Sequence, residues 1–139
     1  KKAAKGMLFY PSGSIGIVSM DDVTYVLLNL MESSIKKKRF ILVSENITYK
    51  NLIKRIAIEL NSKKPIFALS KPLLYLLLII DKITSGIGLK KSFLNRATIE
   101  ILCSQQRYDG SKIEREINFT YQNTDLIIKK ITEDFKVNF

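Results

Sequence analysis

Residues 40–60, FILVSENITYKNLIKRIAIEL, carry the pattern on which the fold assignment rests. Residues 40–43 are apolar at four successive positions, which is typical of a short strand buried on both faces. Asn46 or Thr48 can cap the helix that follows, because a side-chain oxygen there accepts backbone N–H groups of the first helical turn. Beyond the cap, large apolar residues recur at the spacing of one helix face. The stretch therefore predicts one strand followed by one helix.

The same strand–helix pattern occurs on both sides of this unit. Upstream, residues 15–20 are rich in β-branched side chains and predict a strand, after which Asp21 or Asp22 can cap a helix that fades near Ser33. Downstream, residues 65–69 predict a third strand. Residues 73–83 follow it, and they are apolar nearly all round, which predicts a helix that is buried or covered.

The last third of the chain predicts helices. Residues 93–105 carry one apolar side, and Ser111 with Glu114 has the S-x-x-E form of a capping box. Asn123 or Thr124 can cap a final helix. Three short strand–helix units followed by C-terminal helices indicate an α/β class, and a chain of 139 residues fits one domain over residues 1–139. Three short strands are few for a free-standing doubly wound sheet.

Composition excludes several kinds of chemistry. The chain has no His and a single Cys, Cys103. A Ser-His-Asp or Cys-His catalytic set, a His-bearing metal site, a thiolate zinc cluster and an internal disulfide are therefore excluded. Acid–base chemistry would fall on carboxylates, Lys or Tyr. The low cysteine content fits a reducing compartment, and the apolar run at residues 72–80 is shorter than the roughly 20 residues of a membrane span.

Two short motifs resemble catalytic ones but predict structural roles. Tyr108 and Lys112 match the spacing Y-x-x-x-K, in which both residues must lie on one helix face for Lys to lower the pKa of Tyr. Asp109 and Gly110 break the helix between them, so a loop that leads into a helix is the favoured interpretation. The segment Gly13-Ser14-Ile15-Gly16 precedes a strand, which is typical of a turn and wrong for a dinucleotide loop.

The charge balance suggests an alternative function. There are 23 Lys and Arg against 13 Asp and Glu, a formal net charge of +10. Basic clusters at residues 36–39, 63–64, 90–91 and 129–130 lie near element ends and do not alternate with aromatic residues. They indicate a solvated surface, so a nucleic-acid partner is not favoured. A small basic module that binds RNA or another polyanion remains the alternative.

The order of motifs resembles the C-terminal part of the extended short-chain dehydrogenase/reductase family, the NAD-dependent epimerase/dehydratase group. Residues 18–23, VSMDDV, are similar to its V-x-V-x-D-V segment. Residues 40–52 are similar to its next strand and to a helix that starts "t-y-x-e-l". Residues 108–119 are similar to its closing "y-d-x-s-K … e-L-G-F" stretch. Together the matches extend over residues 9–135.

The resemblance implies the substrate-binding part of a Rossmann-type enzyme, with the cofactor-binding part absent. Neither the Gly-rich NAD(P) loop nor the catalytic Ser and Tyr-Lys set of the family occurs in this sequence, which begins at Lys1. We therefore expect a fragment that holds no catalytic residue and binds no cofactor alone. NAD or NADP would act in the full-length enzyme. The partners would be a small-molecule substrate and the missing N-terminal Rossmann part, in the cytoplasm.

One departure from the family narrows the expected substrate. Nucleotide-sugar members carry an Arg three residues before the position of Val18, where this sequence has Ile15. The resemblance thus favours reductase-like members, similar to dihydroflavonol or steroid dehydrogenases. By position in the family, two segments are candidates to line the substrate pocket, although both are equally suited to packing. The candidate residues are Tyr10, Pro11, Ser12, Ser14, Pro65 and Phe67.

Overall fold

A computed structural model of the chain describes residues 7–86 and 95–138, in which short strands and helices are followed by further helices. The predicted helix start at residue 93 and the lysines at 90–91 lie outside the described residues, as does Lys1. The described part is mixed α/β. Its elements are, in order, β1 (Phe9–Pro11), β2 (Ser14–Ile17), α1 (Met20–Glu32), β3 (Glu45–Thr48), α2 (Tyr49–Glu59), β4 (Phe67–Leu69), α3 (Lys71–Gly86), α4 (Arg96–Cys103), α5 (Ser111–Ile117) and α6 (Thr124–Asn138).

Within residues 7–86 and 95–138 the strands form two separate ladders of two strands each. β2 runs antiparallel to β3, with Ile15 opposite Ile47. β1 runs parallel to β4, with Phe9 opposite Phe67 and Pro11 opposite Leu69. The predicted order of three strand–helix units is confirmed by β2–α1, β3–α2 and β4–α3. β1 is an additional strand, and it forms because β4 lies beside it.

The expected strand at residues 40–43 is wrong. This segment is irregular, and the strand lies at Glu45–Thr48 instead. The reason is pairing: residues 45–48 face β2, whereas no strand of the described chain lies beside residues 40–43. A strand needs a neighbour for its backbone N–H and C=O groups, and an apolar run does not supply one.

The N-caps of α1 and α2 are side-chain oxygens that accept a backbone N–H of the first helical turn. Ser19 is the N-cap of α1, where its Oγ accepts the N–H of Asp22 at 2.9 Å, so the expected cap at Asp21 or Asp22 is wrong. Both carboxylates lie in the first turn, where the helix dipole favours negative charge. The expected cap of α2 is confirmed as Thr48, whose Oγ1 accepts the N–H of Asn51 at 3.3 Å.

The capping box at Ser111 is also wrong. Gly110 holds the N-cap position of α5, and Asp109 Oδ1 accepts the N–H of Ser111 at 2.9 Å. Tyr108 therefore lies outside α5 while Lys112 lies within it, which confirms that the two residues do not share a helix face. At the start of α6 the side chain of Asn123 accepts the N–H of Asp125 at 2.8 Å.

Two hydrophobic clusters lie within the core of the described residues. In the first, Val26 of α1 and Ile113 of α5 meet Phe119; in the second, Leu74 and Leu78 of α3 meet Ile99 of α4. The expectation that the helix at residues 73–83 is buried or covered is wrong for the described chain. Its exposed apolar residues are Leu73, Leu76, Leu77, Ile79, Ile80 and Ile83.

Asp22 joins α1 to a distant loop. The side chain is buried, and its Oδ2 accepts the backbone N–H of Gln122 at 3.2 Å. Asp21 points away, toward Lys130 at 3.4 Å. The two carboxylates therefore have different partners. No helix within residues 7–86 and 95–138 has the length and apolar character needed to cross a bilayer.

Replacement of Ile113 with Ala tests the first cluster. Ile113 is 0% exposed, so Ile113→Ala should lower the free energy of unfolding by about 2–5 kcal/mol through lost burial and a cavity. Urea denaturation followed by circular dichroism measures this. Ile101→Ala is the matched control, because Ile101 is 59% exposed and should change stability by less than about 0.5 kcal/mol. Equal effects of the two substitutions would contradict the assigned core.

Candidate functional site

The two segments predicted to line a substrate pocket lie side by side. Tyr10 of β1 faces Ala68 of β4, and the N–H groups of Ile66 and Phe67 both donate to Leu8 O at 2.9 Å. Residues more than fifty positions apart in the sequence thus form one continuous surface. Their role in binding a substrate remains a prediction.

The outer side of this surface is an apolar strand patch, formed by Leu8, Phe9, Ile66 and Phe67. All four side chains are exposed, and the rings of Phe9 and Phe67 are 5.6 Å apart with a tilt of 33°. The exposed faces of the two rings form a flat, non-polar surface. Such a surface can stack on a planar or polycyclic group but offers no charge to bind a phosphate.

Two of the predicted residues face inward instead. Tyr10 and Pro65 are buried, and Lys50 Nζ lies 5.7 Å from the centre of the Tyr10 ring. The ring of Tyr10 therefore packs between β1 and the start of α2. In this arrangement Tyr10 and Pro65 hold the strand pair in place, whereas Phe67 lies where a ligand can reach it.

The turn between β1 and β2 is fixed to the end of α4. Gly13 N–H donates to Leu102 O at 3.0 Å. Ser14 N–H donates to Ser104 O at 2.9 Å, and Ser14 Oγ donates to Gln106 O at 2.9 Å. A Cβ on Gly13 would lie 2.5 Å from Ser104 O, so the close approach requires glycine. Ser14 is consequently a structural residue, and Ser12 is exposed at the tip of the turn.

An ion pair joins α3 to α4. Lys71 Nζ lies 2.7 Å from Glu100 Oε2, and Tyr75 Oη donates to Glu100 Oε1 at 2.8 Å. These hydrogen bonds lower the pKa of Glu100 and raise the pKa values of Lys71 and Tyr75. Each shift stabilises the protonation state that the group has near neutral pH, which is deprotonated for Glu100 and protonated for Lys71 and Tyr75. The cluster therefore holds two helices together and is poorly suited to proton transfer.

A polar cleft of about 660 Å³ lies on another side of the chain, between β3 and the loops before α5 and α6. Arg55 forms two hydrogen bonds of 2.9 Å to Glu45 and lies 3.1 Å from Asp125; the bond to Glu45 raises the Arg55 pKa. The amide of Asn46 pairs with the N–H and C=O of Tyr108 at 2.8 and 2.9 Å. These polar groups satisfy one another, which is typical of a structural network.

An apolar cavity of about 240 Å³ lies between β2, α2 and α6. Its wall is mainly aliphatic, with Ile17, Leu52, Ile56 and Ile128 among the lining residues. It is smaller than usual ligand pockets, which begin near 300 Å³. In the described ranges, moreover, no group of three His, Cys, Asp or Glu residues is placed to hold a metal ion.

The basic clusters are spread over several elements. Residues 36–39 follow α1 and are exposed, and Lys38 forms an ion pair with Glu116. Lys63 and Lys64 are exposed after α2. Lys130, on α6, pairs with Asp21. Some of this charge is thus neutralised by neighbouring carboxylates, in line with the expectation of a solvated surface.

Comparison with known proteins shows the fold. No protein-family model matches the chain, and no curated protein matches its sequence. A solved structure, the crystal structure of gox2253, superposes with a TM-score of 0.71 at 21% identity. The match covers 92% of this chain and 39% of gox2253. Nearly all of this chain therefore has the fold of one part of a longer protein.

The Glu100 cluster predicts a specific pH dependence. Because the folded state lowers the Glu100 pKa, its stabilising effect is present above the ordinary carboxyl pKa and is lost as the pH falls through the lowered value. Glu100→Gln should lower the melting temperature by about 1–3 °C at pH 7, and the difference from wild type should vanish in acid. Glu133→Gln, which removes an exposed carboxylate from α6, serves as control. A pH-independent difference for Glu100→Gln would contradict this account.

Proposed function

We propose that this chain is the substrate-binding C-terminal region of a cytoplasmic NAD(P)-dependent reductase or epimerase and does not catalyse alone. The observation that carries the proposal is the match of 92% of the chain to only 39% of gox2253. A fold that occurs as one part of a longer chain is what the resemblance to the extended short-chain dehydrogenase/reductase family implies. The low cysteine count favours the reducing cytoplasm.

The family-like segments support the proposal because their shared residues make the contacts that join elements. Asp22, the aspartate of the V-x-V-x-D-V segment, is buried and accepts the N–H of Gln122. Thr48, the first residue of "t-y-x-e-l", caps α2. In "y-d-x-s-K", Asp109 accepts the N–H of Ser111, and Lys112 Nζ donates to Arg39 O at 3.1 Å. The motifs thus describe how this region is held together.

The apolar strand patch favours a planar or polycyclic substrate. Phe9 and Phe67 offer exposed ring faces, and Ile15 is half-buried in β2 opposite Ile47. The position of Ile15 is the one at which nucleotide-sugar members carry an arginine for the diphosphate. We therefore propose a substrate of the kind used by reductase-like members, with hydride transfer supplied by NAD or NADP on the N-terminal part.

Cofactor binding tests the proposal. In isothermal titration the 139-residue chain should bind neither NADPH nor NADH with a Kd below about 1 mM. The protein expressed from the complete reading frame should bind one of them with a Kd in the micromolar range. Tight binding by the 139-residue chain alone would contradict the proposal, and so would no binding by the complete protein.

Two variants of the complete protein sharpen this test. Tyr108→Phe and Lys112→Ala should leave cofactor affinity unchanged and turnover within about twofold, because the two residues do not form the catalytic pair. A loss of about a thousandfold in turnover with Tyr108→Phe would assign catalysis to this chain and contradict the proposal.

The alternative, a polyanion-binding module, has less support. It rests on the net charge of +10, but part of that charge is paired and the clusters lie on different elements. Electrostatic binding to RNA would weaken steeply as salt rises. Strong, salt-sensitive retention of RNA by the chain would favour this alternative over the enzyme fragment.

A further inference from the structure

One face of α3 is apolar and exposed in the part of the chain that the structure describes. Leu74 and Leu78 point inward, where they pack against Ile99 of α4. The other large aliphatic residues of the helix are between 37% and 59% exposed. They are Leu73, Leu76, Leu77, Ile79, Ile80 and Ile83, and they are called here the bare α3 face.

The bare α3 face is one stripe along the helix. Its residues at positions 73, 76, 77 and 80 follow the spacing i, i+3, i+4 and i+7 of a single helix face, and positions 79 and 83 lie beside them. Apolar residues that are exposed singly are normal on a protein surface. A contiguous stripe of six aliphatic side chains is instead typical of a surface that contacts another body.

The apolar strand patch lies next to the start of this stripe. Phe67 and Leu69 are two positions apart in β4, so their side chains lie on the same face of the ladder. Leu69 packs against the cluster of Leu74 and Leu78 on the inner side of α3. The exposed ring of Phe67 therefore extends the apolar surface beyond the helix.

The surroundings of this apolar surface are basic. Residues 63–83 and 95–103 contain five basic residues, Lys63, Lys64, Lys71, Lys82 and Arg96, against two acidic ones, Asp81 and Glu100. Lys71 is paired with Glu100. Lys63 and Lys64 are exposed and form no ion pair with another described residue. The apolar surface thus has positive charge at its edge that a negatively charged partner can neutralise.

We propose that α3 docks in the surface of an anionic lipid bilayer, with its axis in the plane of the membrane. In this arrangement the bare α3 face enters the boundary between headgroups and acyl chains, and Lys63 and Lys64 bind lipid phosphates. The 16 residues of α3 span about 24 Å, less than the roughly 30 Å of a hydrocarbon core, so the helix lies in the interface. Membrane docking requires no cofactor or substrate and is independent of the proposed function.

Composition and charge favour lipid over other partners. The bare α3 face consists of Leu and Ile alone, which enter lipid readily, whereas Trp, Tyr and Arg carry most of the binding energy in protein interfaces. A second copy brings the same net charge of +10, which opposes association. RNA matches the charge but does not cover aliphatic side chains. An anionic bilayer satisfies both the charge and the apolar face.

Co-sedimentation with vesicles tests the docking. The protein expressed from the complete reading frame should sediment with vesicles that contain about one-third phosphatidylglycerol, and vesicles of phosphatidylcholine alone should bind it at least about tenfold more weakly. Added salt should weaken but not abolish binding to the anionic vesicles, because salt screens charge and leaves apolar burial intact. No binding to the anionic vesicles at low salt, or equal binding to both kinds, overturns the proposal.

A double substitution tests whether α3 makes the contact. Leu76 and Ile80 are 54% and 49% exposed, so Leu76→Gln with Ile80→Gln should preserve the melting temperature and lower the vesicle affinity at least about tenfold. The matched control replaces one Leu and one Ile of α6, Leu126→Gln with Ile131→Gln, which are 67% and 61% exposed. The control should change the vesicle affinity by less than about twofold. Equal losses in the two double variants overturn docking through α3.

A second pair of variants tests the charged edge. Lys63→Gln with Lys64→Gln should lower affinity for the anionic vesicles by about 10- to 30-fold. Lys36→Gln with Lys37→Gln is the matched control, because it removes the same charge from exposed positions after α1 and should cost less than about threefold. The proposal is overturned if the two lysine pairs matter equally, or if binding depends on lysines and not on Leu76 and Ile80.

The remaining outcomes identify a different occupant or separate the two proposals. Self-association of the complete protein without lipid, abolished by Leu76→Gln with Ile80→Gln, would assign the bare α3 face to a second copy and overturn membrane docking. Sedimentation velocity measures this. A complete protein that binds vesicles as expected but neither NADPH nor NADH supports the docking and removes the proposed function. One that binds NADPH but no vesicles does the reverse.

Discussion

Backbone pairing is the constraint on which the rest of the structure depends. The described chain has two ladders of two strands each, and both need support from outside the strands. The β1–β2 turn is fixed to the end of α4 through Gly13 and Ser14, and Asp22 fixes α1 to the loop before α6. Two-stranded ladders are only marginally stable in isolation. These hydrogen bonds therefore stabilise a fold in which the helices have few strands to pack against. Apolar residues of α1 and α3 are exposed because few strands of the described chain lie beside these helices.

Helix caps and helix periodicity, which depend on neighbouring residues, could be predicted from the sequence. Strand pairing, which depends on a distant partner, could not. The helix after Thr48 was predicted with its cap, because capping and helix periodicity involve neighbouring residues. The strand at residues 40–43 was wrongly predicted because a ladder needs a second strand, and the one beside β3 is β2. Likewise Ser19, one turn ahead of Val23, replaced Asp21 and Asp22 as the cap, since a carboxylate is also favoured inside the first turn.

The two segments of the candidate site were indicated by the resemblance, but the way in which they meet was not. Family position indicated the segments around Tyr10 and Phe67, and β1 pairs with β4 as a result of a crossover that no local pattern reveals. The burial of Tyr10 and Pro65 separates packing residues from the exposed ring of Phe67, a distinction that apolar character alone does not make. The Asn46–Tyr108 pairing joins residues 62 positions apart and has no local sequence signal.

The central proposal is that this fold is the substrate-binding part of a larger NAD(P)-dependent enzyme. A crystal structure of the protein from the complete reading frame tests this claim most directly. We expect this fold to be preceded in that structure by a Rossmann-type domain that binds NAD or NADP. A complete protein that contains no such cofactor-binding domain would contradict the proposal.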